Sequence, residues 1–344
     1  MKNSKDKSRK RIVAVWILFI CMLALTVAAV LCCFRLVKDM LERDYMGSVR
    51  IGDAESFLRA LENSNEIRQY REYVFTDDVT ISTTDINGTG YYFYGRLYGG
   101  GYTLTIAPGE GALTSPIFKV IDEGAEVERL NIEVAANIGQ LGLSSGMAVL
   151  AETNNGKIAN CTLNASCVVI DAECRESAAL VVINKGDIEC VCLSVGEFIS
   201  DVANYDDWVT SFGGIAAVNF GTINNILADV NFGMGAGRLP VFENGYNNLK
   251  VGYIFGSAGS DASADNLYIF NSERETYSRA CDVKYLRKIA NGDQSPISMH
   301  SYSEIYSNST LCNELLENWD SMSVWDFTLT VTGGNFPTLR TEGV

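Results

Sequence analysis

The sequence has few of the residues from which metal centres and catalytic triads are built. It contains a single histidine, His300, and none of its ten cysteines forms a C-x-x-C pair. A Cys/His zinc site therefore lacks its ligands, and no Ser/Asp framework around His300 would make it a catalytic base. Proline is also rare, with five residues against 31 glycines, which indicates many turns without disorder. We predict that the protein uses no cofactor.

Basic residues are scarce beyond the N-terminus. Residues 1–35 contain seven of the 27 Lys and Arg residues and one of the 42 acids, so the remainder has 20 basic and 41 acidic residues. A body with a net charge of −21 repels nucleic acid and anionic lipid surfaces, which excludes nucleic acid as a partner. Basic peptides or metal cations match this charge better, and an acidic surface that only maintains solubility is the alternative.

One long apolar run interrupts this mixed sequence. Residues 12–34 contain no charged residue, and a helix of this length reaches roughly 34 Å, enough to cross a bilayer. The basic tail of residues 1–11 precedes it, so the positive-inside rule places the N-terminus in the cytosol. We therefore predict an uncleaved, single-pass signal anchor in the cell membrane, with the C-terminal domain outside the cell. A cleavable signal peptide is the alternative, and it requires a shorter run and a clear small-x-small cleavage site.

Turn glycines recur at a nearly constant spacing in the rest of the chain. Each follows a small residue and a short apolar run, and each precedes alternating apolar residues. Their separations of 32, 30 and 35 residues are typical of a repeat protein. These repeat turns are Gly124, Gly156, Gly186 and Gly221.

The residues after the turn glycines indicate β-strands rather than helices. Apolar residues follow three of the glycines at positions +2, +5 and +7, and the last two positions lie on the same side of a strand. Units of about thirty residues match one coil of a solenoid, whose strands stack at about 4.8 Å in parallel sheets around a shared core. The predicted core ladder consists of Ile158, Ile188 and Ile223 at +2, and of Cys161, Val191 and Ile226 at +5.

The turns of such a coil lead to further predictions. A turn with positive φ favours glycine, which would explain the repeat glycines. Asn160 and Asn225 both lie four residues after a glycine, so they are predicted to stack as turn residues. Cys190 and Cys192 flank the inward Val191 and should therefore face outward or into a corner. Seven cysteines follow the apolar run, and this odd number cannot pair fully within one chain.

Three stretches of the sequence resemble one family. The segment GGIAAVNFGTINN, residues 213–225, resembles the GLUG motif of bacterial surface proteins, whose repeats build right-handed parallel β-helices. FYGRLYGGGYTLTI, residues 93–106, is similar to the opening strand pair of that group, except that Tyr98 and Gly100 replace its usual Asp and Asn. WDFTLTVTGGNFPTLR, residues 325–340, is similar to the typical last segment. The resemblance implies this fold over most of the chain.

We predict an all-β protein: a right-handed parallel β-helix with short helical caps, preceded by one transmembrane helix. DAESFLRALENS, residues 53–64, predicts the first cap helix with Asp53 at its start, and residues 301–317 predict a second. Residues 232–250 are predicted to form a loop between coils. The predicted parts are a basic tail (1–11), a signal anchor (12–34), a juxtamembrane stalk (35–50), an N-terminal cap with the first strands (51–114), the β-helix repeats (115–271), and a C-terminal coil and cap (272–344).

Acidic residues offer weak candidates for catalysis or metal binding. Asp206 and Asp207 lie beside aromatic residues, a combination found in sugar-processing sites, although a polar loop with an aromatic anchor explains them as well. Asp261 and Asp265 are spaced as in a loose calcium site, but their segment lacks the carboxylate density of an EF-hand. GMGAG, residues 233–237, superficially matches a dinucleotide loop without the helix or downstream acid that such a loop needs.

The predicted anchor and repeat favour a surface binding or adhesion module without catalysis. Its expected partners are the membrane, through residues 12–34, and a glycan or a host or cell-surface protein. One alternative is a carbohydrate-active enzyme, a polysaccharide lyase or hydrolase that uses acids such as Asp206 and Asp207. Another is a structural component of a cell-envelope assembly.

Overall fold

The computed structural model divides the chain into two compact units, Met1–Gly47 and Ser48–Val344. The predicted tail and signal anchor, residues 1–34, lie outside the described residues. In the part of the chain that is described, no helix is both long and apolar enough to cross a membrane. The described residues are 47–67, 70–136, 138–139, 146–170, 176–200, 210–232, 249–252, 254–270, 297–300, 319–320, 323–326 and 337–342.

Short strands make up most of the described chain, and two helices, α1 (Ala54–Ile67) and α2 (Thr83–Ile86), lie near its start. The strands are, in chain order, β1 (Val49–Ile51), β2 (Glu72–Phe75), β3 (Val79–Ser82), β4 (Tyr91–Phe93), β5 (Arg96–Tyr98), β6 (Thr103–Ala107), β7 (Phe118–Ile121), β8 (Glu126–Glu128), β9 (Asn131–Val134), β10 (Ile138–Gly139), β11 (Gly146–Met147), β12 (Ala151–Asn154), β13 (Lys157–Ile170), β14 (Glu176–Ala178), β15 (Val181–Asn184), β16 (Asp187–Ser200), β17 (Thr210–Gly213), β18 (Ala216–Asn219), β19 (Thr222–Phe232), β20 (Leu249–Gly252), β21 (Phe255–Ala258), β22 (Ser263–Phe270), β23 (Ile297–His300), β24 (Trp325–Asp326) and β25 (Thr338–Leu339).

These strands form three parallel sheets that the chain visits in turn. The first sheet has the order β1-β2-β5-β8-β13-β16-β19-β22-β23, and β3, β6 and β9 join it through the second half of β13. The second sheet is β4-β7-β12-β15-β18-β21, and the third is β11-β14-β17-β20. From β11 onward, four successive coils each contribute one strand to the third, second and first sheets in that order. The described chain is therefore an all-β, parallel β-helix-like fold, and only the β24–β25 pair is antiparallel within it.

The core is a set of apolar columns that run through the stacked coils. In the first sheet, Ile158 pairs with Ile188, and Ile188 pairs with Ile223. All three side chains are fully buried, so the residues of the predicted ladder at +2 share one interior column. The +5 residues form the next inward column, in which Cys161, Val191 and Ile226 are equally buried. The burial of successive β-branched and aliphatic side chains supplies the main driving force for stacking the coils.

The N-terminal end of this core is covered by helix α1. The Asp53 side chain accepts a hydrogen bond from the Ser56 backbone N–H at 2.8 Å, which caps the helix. Phe57 and Leu61 are buried on its inner face. The helix predicted over residues 53–64 therefore exists and continues to Ile67. The predicted stalk is wrong at its end, because β1 pairs with β2 and already belongs to the first sheet.

The repeat glycines are required for two different reasons. Gly124 has a φ of +79°, and nothing lies within 4 Å of an added Cβ. The other three glycines lie outside the left-handed range. At Gly186 an added Cβ would lie 2.0 Å from the Gly156 carbonyl oxygen, and at Gly221 it would lie 2.0 Å from the Gly186 oxygen. The prediction of positive φ is thus wrong at Gly156, Gly186 and Gly221, where the close approach of stacked backbones excludes a side chain.

Positive φ occurs instead four residues after the turn glycine, where each long strand of the first sheet bends. Asn160 and Cys190 have φ values of 53°, and Asn225 has 54°. Asparagine tolerates this conformation because its short polar side chain bonds locally. Asn160 and Asn225 are therefore turn residues of one column, as predicted. We name this column the left-handed corner; its members are Arg129, Asn160, Cys190, Asn225 and Asn266.

A ladder of buried asparagines occupies the bend between the second and first sheets in three successive coils. The Asn154 side-chain amide donates to Asn184 Oδ1 at 2.8 Å, and the Asn184 amide donates to Asn219 Oδ1 at 2.8 Å. All three side chains are fully buried. The ladder ends because the next residue in the column is Ala258. We name it the asparagine corner; its signal in the sequence, an Asn two residues before three of the four turn glycines, was not among our predictions.

Candidate functional site

A hairpin formed by β24 and β25 lies against the outer side of the left-handed corner. The Trp325 indole N–H donates to Asn160 Oδ1 at 3.0 Å. The Arg129 guanidinium donates to the Arg340 carbonyl oxygen at 2.8 Å and pairs with the Glu342 carboxylate. Arg129 is only 4% exposed, so this ion pair is shielded from solvent on the arginine side. The hairpin is therefore fixed to the sheet through two members of the corner.

The chain segments around Gly101 and Arg340 meet at this place. An added Cβ at Gly101 would lie 2.3 Å from the Arg340 carbonyl oxygen, so the hairpin passes directly over the opening glycine turn. The Glu342 backbone N–H donates to the Gly100 carbonyl oxygen at 3.0 Å. Tyr98 accepts a hydrogen bond from Arg129 at 3.1 Å through its hydroxyl oxygen. Tyr98 and Gly100 thus contact the hairpin or its anchor.

A cleft of about 370 Å³ lies between the hairpin and the first sheet. Its volume is at the lower end of the range that small ligands occupy. Pro337 and Thr338 form the wall on the hairpin side. The side chains on the sheet are mostly hydroxyls and amides, and they come from neighbouring strands: Thr103, Asn131, Glu133, Thr162, Asn164 and Ser194.

Part of the cleft is organised by hydrogen bonds between coils. The Asn131 amide donates to the Gly101 carbonyl oxygen at 2.7 Å, and Thr162 Oγ1 donates to Asn131 Oδ1 at 2.8 Å. These bonds fix two side chains of the floor. Asn164 and Thr338 are exposed and line the cleft. The cleft therefore combines an ordered floor with polar groups that are available to a ligand.

A buried thiol also lines the cleft. Cys192 pairs with Thr162 in the register and faces outward, as predicted, yet it is only 3% exposed. Burial, with the neighbouring Cys190 thiol adding to it, raises the pKa of Cys192 well above its usual range. The thiol is thus neutral and a weak nucleophile. Cys190 is buried at the corner, and burial followed by the nearby Glu189 charge raises its pKa to about 12.

The two candidate acids that are described, Asp261 and Asp265, are not among the residues that line this cleft. Asp206 and Asp207 lie outside the described residues, as do the GMGAG segment and the predicted second helix. Asp261 Oδ1 accepts from Ser260 Oγ at 3.1 Å, and Asp265 Oδ1 accepts from the Asn266 backbone N–H at 2.9 Å. No group of three His, Cys, Asp or Glu side chains able to hold a metal occurs among the residues that are described.

The cleft residues were missed by sequence reasoning, although a signal for them exists. Thr162 and Asn164 lie six and eight residues after Gly156, and Ser194 lies eight residues after Gly186. These positions alternate with the inward +5 and +7 positions, so they mark the outer face of the same strand. Nothing in the local sequence indicates that a hairpin from the C-terminus covers them.

Comparisons with known proteins leave the family open. No family model matches the sequence, and no curated protein matches it. Among solved structures, the chain is similar to a protein from Bacteroides ovatus described as a candidate immunoglobulin A1 protease, with 12% sequence identity and a TM-score of 0.47. The alignment covers 85% of this chain and 92% of that chain. A likeness at this level carries no argument about activity.

Proposed function

We propose that this protein is a membrane-anchored surface binding or adhesion module without catalytic activity. The observation that supports the proposal best is the composition of the cleft, whose sheet side presents hydroxyl and amide groups and a single carboxylate, Glu133. Glycosidic acid/base catalysis uses a pair of carboxylates at a set separation, and Glu133 has no such partner among the described lining residues. Hydroxyl and amide groups without such a pair can bind a ligand through hydrogen bonds but do not supply glycosidic acid/base catalysis.

The proposal includes a finer description of the scaffold. We infer a right-handed β-helix solenoid of the GLUG type, because crossover connections between parallel strands are right-handed in nearly all proteins. The contact between the opening turn at Gly101 and the hairpin carbonyl of Arg340 supports the resemblance, since it gives the two end segments a shared structural role.

The membrane anchor is the second part of the proposal. Residues 12–34 would hold the body outside the cell while residues 1–11 remain in the cytosol. Fractionation of cells that express the full chain tests this, with treatment by external protease as the readout. We expect the full chain in the membrane fraction and its body cleaved from outside. Full-length protein in the soluble fraction would contradict the anchor.

The choice between binding and catalysis is tested on polysaccharides. The full chain in detergent is incubated with acidic and neutral polysaccharides, and both bound material and released reducing or unsaturated ends are measured. Binding without release is the expected result. Release that disappears in Asp207→Asn would instead establish a lyase or hydrolase and reject the non-catalytic module. A chain that binds nothing and releases nothing would favour a structural component of an envelope assembly.

A further inference from the structure

The outer face of the cleft is a regular array of polar positions. Thr103, Asn131 and Thr162 follow one another in one column of the register, and the buried thiol of Cys192 comes next. Glu133, Asn164 and Ser194 form the neighbouring column, two residues further along the strands. Successive members of a column lie about one strand spacing apart, roughly 4.8 Å. The cleft therefore presents polar groups at repeated intervals along the stacking axis, which suits a chain-like ligand with repeated polar groups.

The charge of the lining restricts the ligand. Glu133 is the charged residue among those that line the cleft, and no Lys or Arg lines it in the described part of the chain. The nearby Arg129 is already paired with Glu342 and bonded to the hairpin backbone. An anionic ligand would meet a carboxylate and find no cation to neutralise it. Uronic acid polymers, sulfated glycans, nucleic acids and phosphate headgroups are therefore poor matches.

The cleft is also poorly suited to a peptide. Peptides that bind to sheets add a strand at an open edge, but β13 is already paired with β9 and β16 on its two sides. Peptide grooves also need apolar pockets for side chains. Leu163 and Pro337 are the apolar lining residues apart from the thiol of Cys192, and Leu163 is buried in the core. Hydroxyl groups, which donate and accept at once, match the hydroxyls of a sugar more closely.

We propose that this cleft binds an uncharged glycan strand, laid across β9, β13 and β16 and held from the other side by Thr338. The inference rests on the binding function proposed above and assigns to it a site and a ligand class. Asn164, Ser194 and Thr338 are the residues that contact the sugar hydroxyls. The Asn131–Thr162 pair positions the floor. Because the hairpin supplies one wall, the site is complete only while the hairpin is docked.

Two cleft variants and one matched control test the assignment. Ser194→Trp places a large ring in a cleft of about 370 Å³, and Asn164→Ala removes an exposed amide without affecting the core. Asn224→Ala removes a half-exposed asparagine on the same sheet, from an outward position beyond the cleft. Binding of the full chain to a soluble glucan, a mannan, a galactan, polygalacturonate and a peptide digest is measured by titration calorimetry. Thermal unfolding confirms that each variant is folded.

We expect at least one neutral polysaccharide to bind. Its affinity should fall by about fivefold in Asn164→Ala, the loss of roughly one hydrogen bond, and by at least about tenfold in Ser194→Trp. Asn224→Ala should leave the affinity unchanged. Raising the salt from roughly 0.05 to 0.5 M should also leave it unchanged, because an uncharged ligand is not screened.

Every other outcome would overturn one stated element of the proposal: the site, the ligand class or the binding function. If both folded cleft variants still bind a neutral glycan with unchanged affinity, the cleft is not the binding site, although the proposed binding function stands. Binding to polygalacturonate or to peptides alone would overturn the ligand class. A chain that binds no member of the panel would overturn the inference together with the proposed function.

Discussion

Two of the bends in the coils solve the same geometric problem with different chemistry. At the asparagine corner, identical buried residues bond to one another from coil to coil, as Asn154 does to Asn184. At the left-handed corner, the column keeps one backbone conformation but changes its side chains from Arg129 through Asn160 to Cys190. The first corner is closed within the stack. The second lies partly under the C-terminal hairpin, beside the cleft.

This difference separates structural repetition from adaptation to a site. A column of identical residues bonds mainly to itself, as Asn154, Asn184 and Asn219 do from coil to coil. A column that varies can contribute an ion pair in one coil and an indole contact in the next, as Arg129 and Asn160 do. We infer that the functional surface of this fold is found where a repeated column departs from its consensus.

The largest effect is expected at the crowded glycines. In Gly186→Ala the new Cβ would lie 2.0 Å from the carbonyl oxygen of Gly156, so the two coils would have to separate. We therefore expect the free energy of unfolding to fall by about 4 kcal/mol, or the variant to fail to fold. Gly124→Ala meets no atom within 4 Å but has a φ of +79°, so its cost should be about 1–2 kcal/mol. Urea denaturation compares them, and equal losses would contradict the distinction between crowding and conformation.

The next effect is expected where the hairpin is attached. Arg129→Ala removes the ion pair with the half-exposed Glu342 and the buried bond to the Arg340 carbonyl, and we expect about 3 kcal/mol less stabilisation of the docked hairpin. Trp325, fully buried in the native state, should then become exposed. Limited proteolysis and a red shift of tryptophan fluorescence measure this.

The control for the hairpin is another arginine of the same sheet. Arg96 bonds to Glu72 and Glu128, but its side chain is 31% exposed, so Arg96→Ala should cost less than about 1 kcal/mol and leave the hairpin protected. Hairpin cleavage at the same rate in both variants would show that Arg129 is not its anchor.

A smaller loss is expected in the asparagine corner. Asn184→Ala removes both ladder bonds and leaves the Asn154 amide without its acceptor in a buried position, so we expect a loss of about 2–3 kcal/mol. Asn155→Ala changes a half-exposed neighbour and should cost less than about 0.5 kcal/mol. If chemical denaturation finds the two variants equally stable, the ladder does not hold the coils together.

The smallest effect is expected from making the left-handed corner more uniform. Cys190→Asn gives this position the residue that its column neighbours Asn160 and Asn225 already have. Because asparagine tolerates this φ, we expect the free energy of unfolding to rise by up to about 1 kcal/mol at neutral pH. Thermal unfolding measures the gain, and a loss of stability would mean that the packing of the thiol outweighs the backbone preference.

The pH dependence of the same variant supplies a second readout. The folded pKa of Cys190 is raised from 9.0 to about 12, so the stability from its neutral thiol is fully present below pH 9 and is lost as the pH rises toward 12. Asparagine does not titrate, and the advantage of Cys190→Asn should therefore grow across this window. A constant difference between pH 8 and 11 would contradict the raised pKa.

Some of the architecture follows directly from the sequence. The spacing of Gly156, Gly186 and Gly221 placed Ile158, Ile188 and Ile223 in one column, because a repeat of fixed length returns each residue to the same face. The cap helix from Asp53 was equally predictable from its capping residue and apolar face. The reason for the glycines at 186 and 221 was not predictable from the sequence. Local sequence indicates which backbone angles are allowed, but it does not show that the backbone of the neighbouring coil lies too close for a side chain.

The sequence by itself determined the period of the chain, the inward and outward sides of its strands, and the residues that suit its turns. These depend on local periodicity and on side-chain chemistry within about thirty residues. Only the tertiary structure decided that residues near position 340 return to the turn at Gly101, bury Arg129 and complete the cleft. Contacts between segments more than two hundred residues apart depend on the shape that the stacked coils present, and no local pattern encodes that shape.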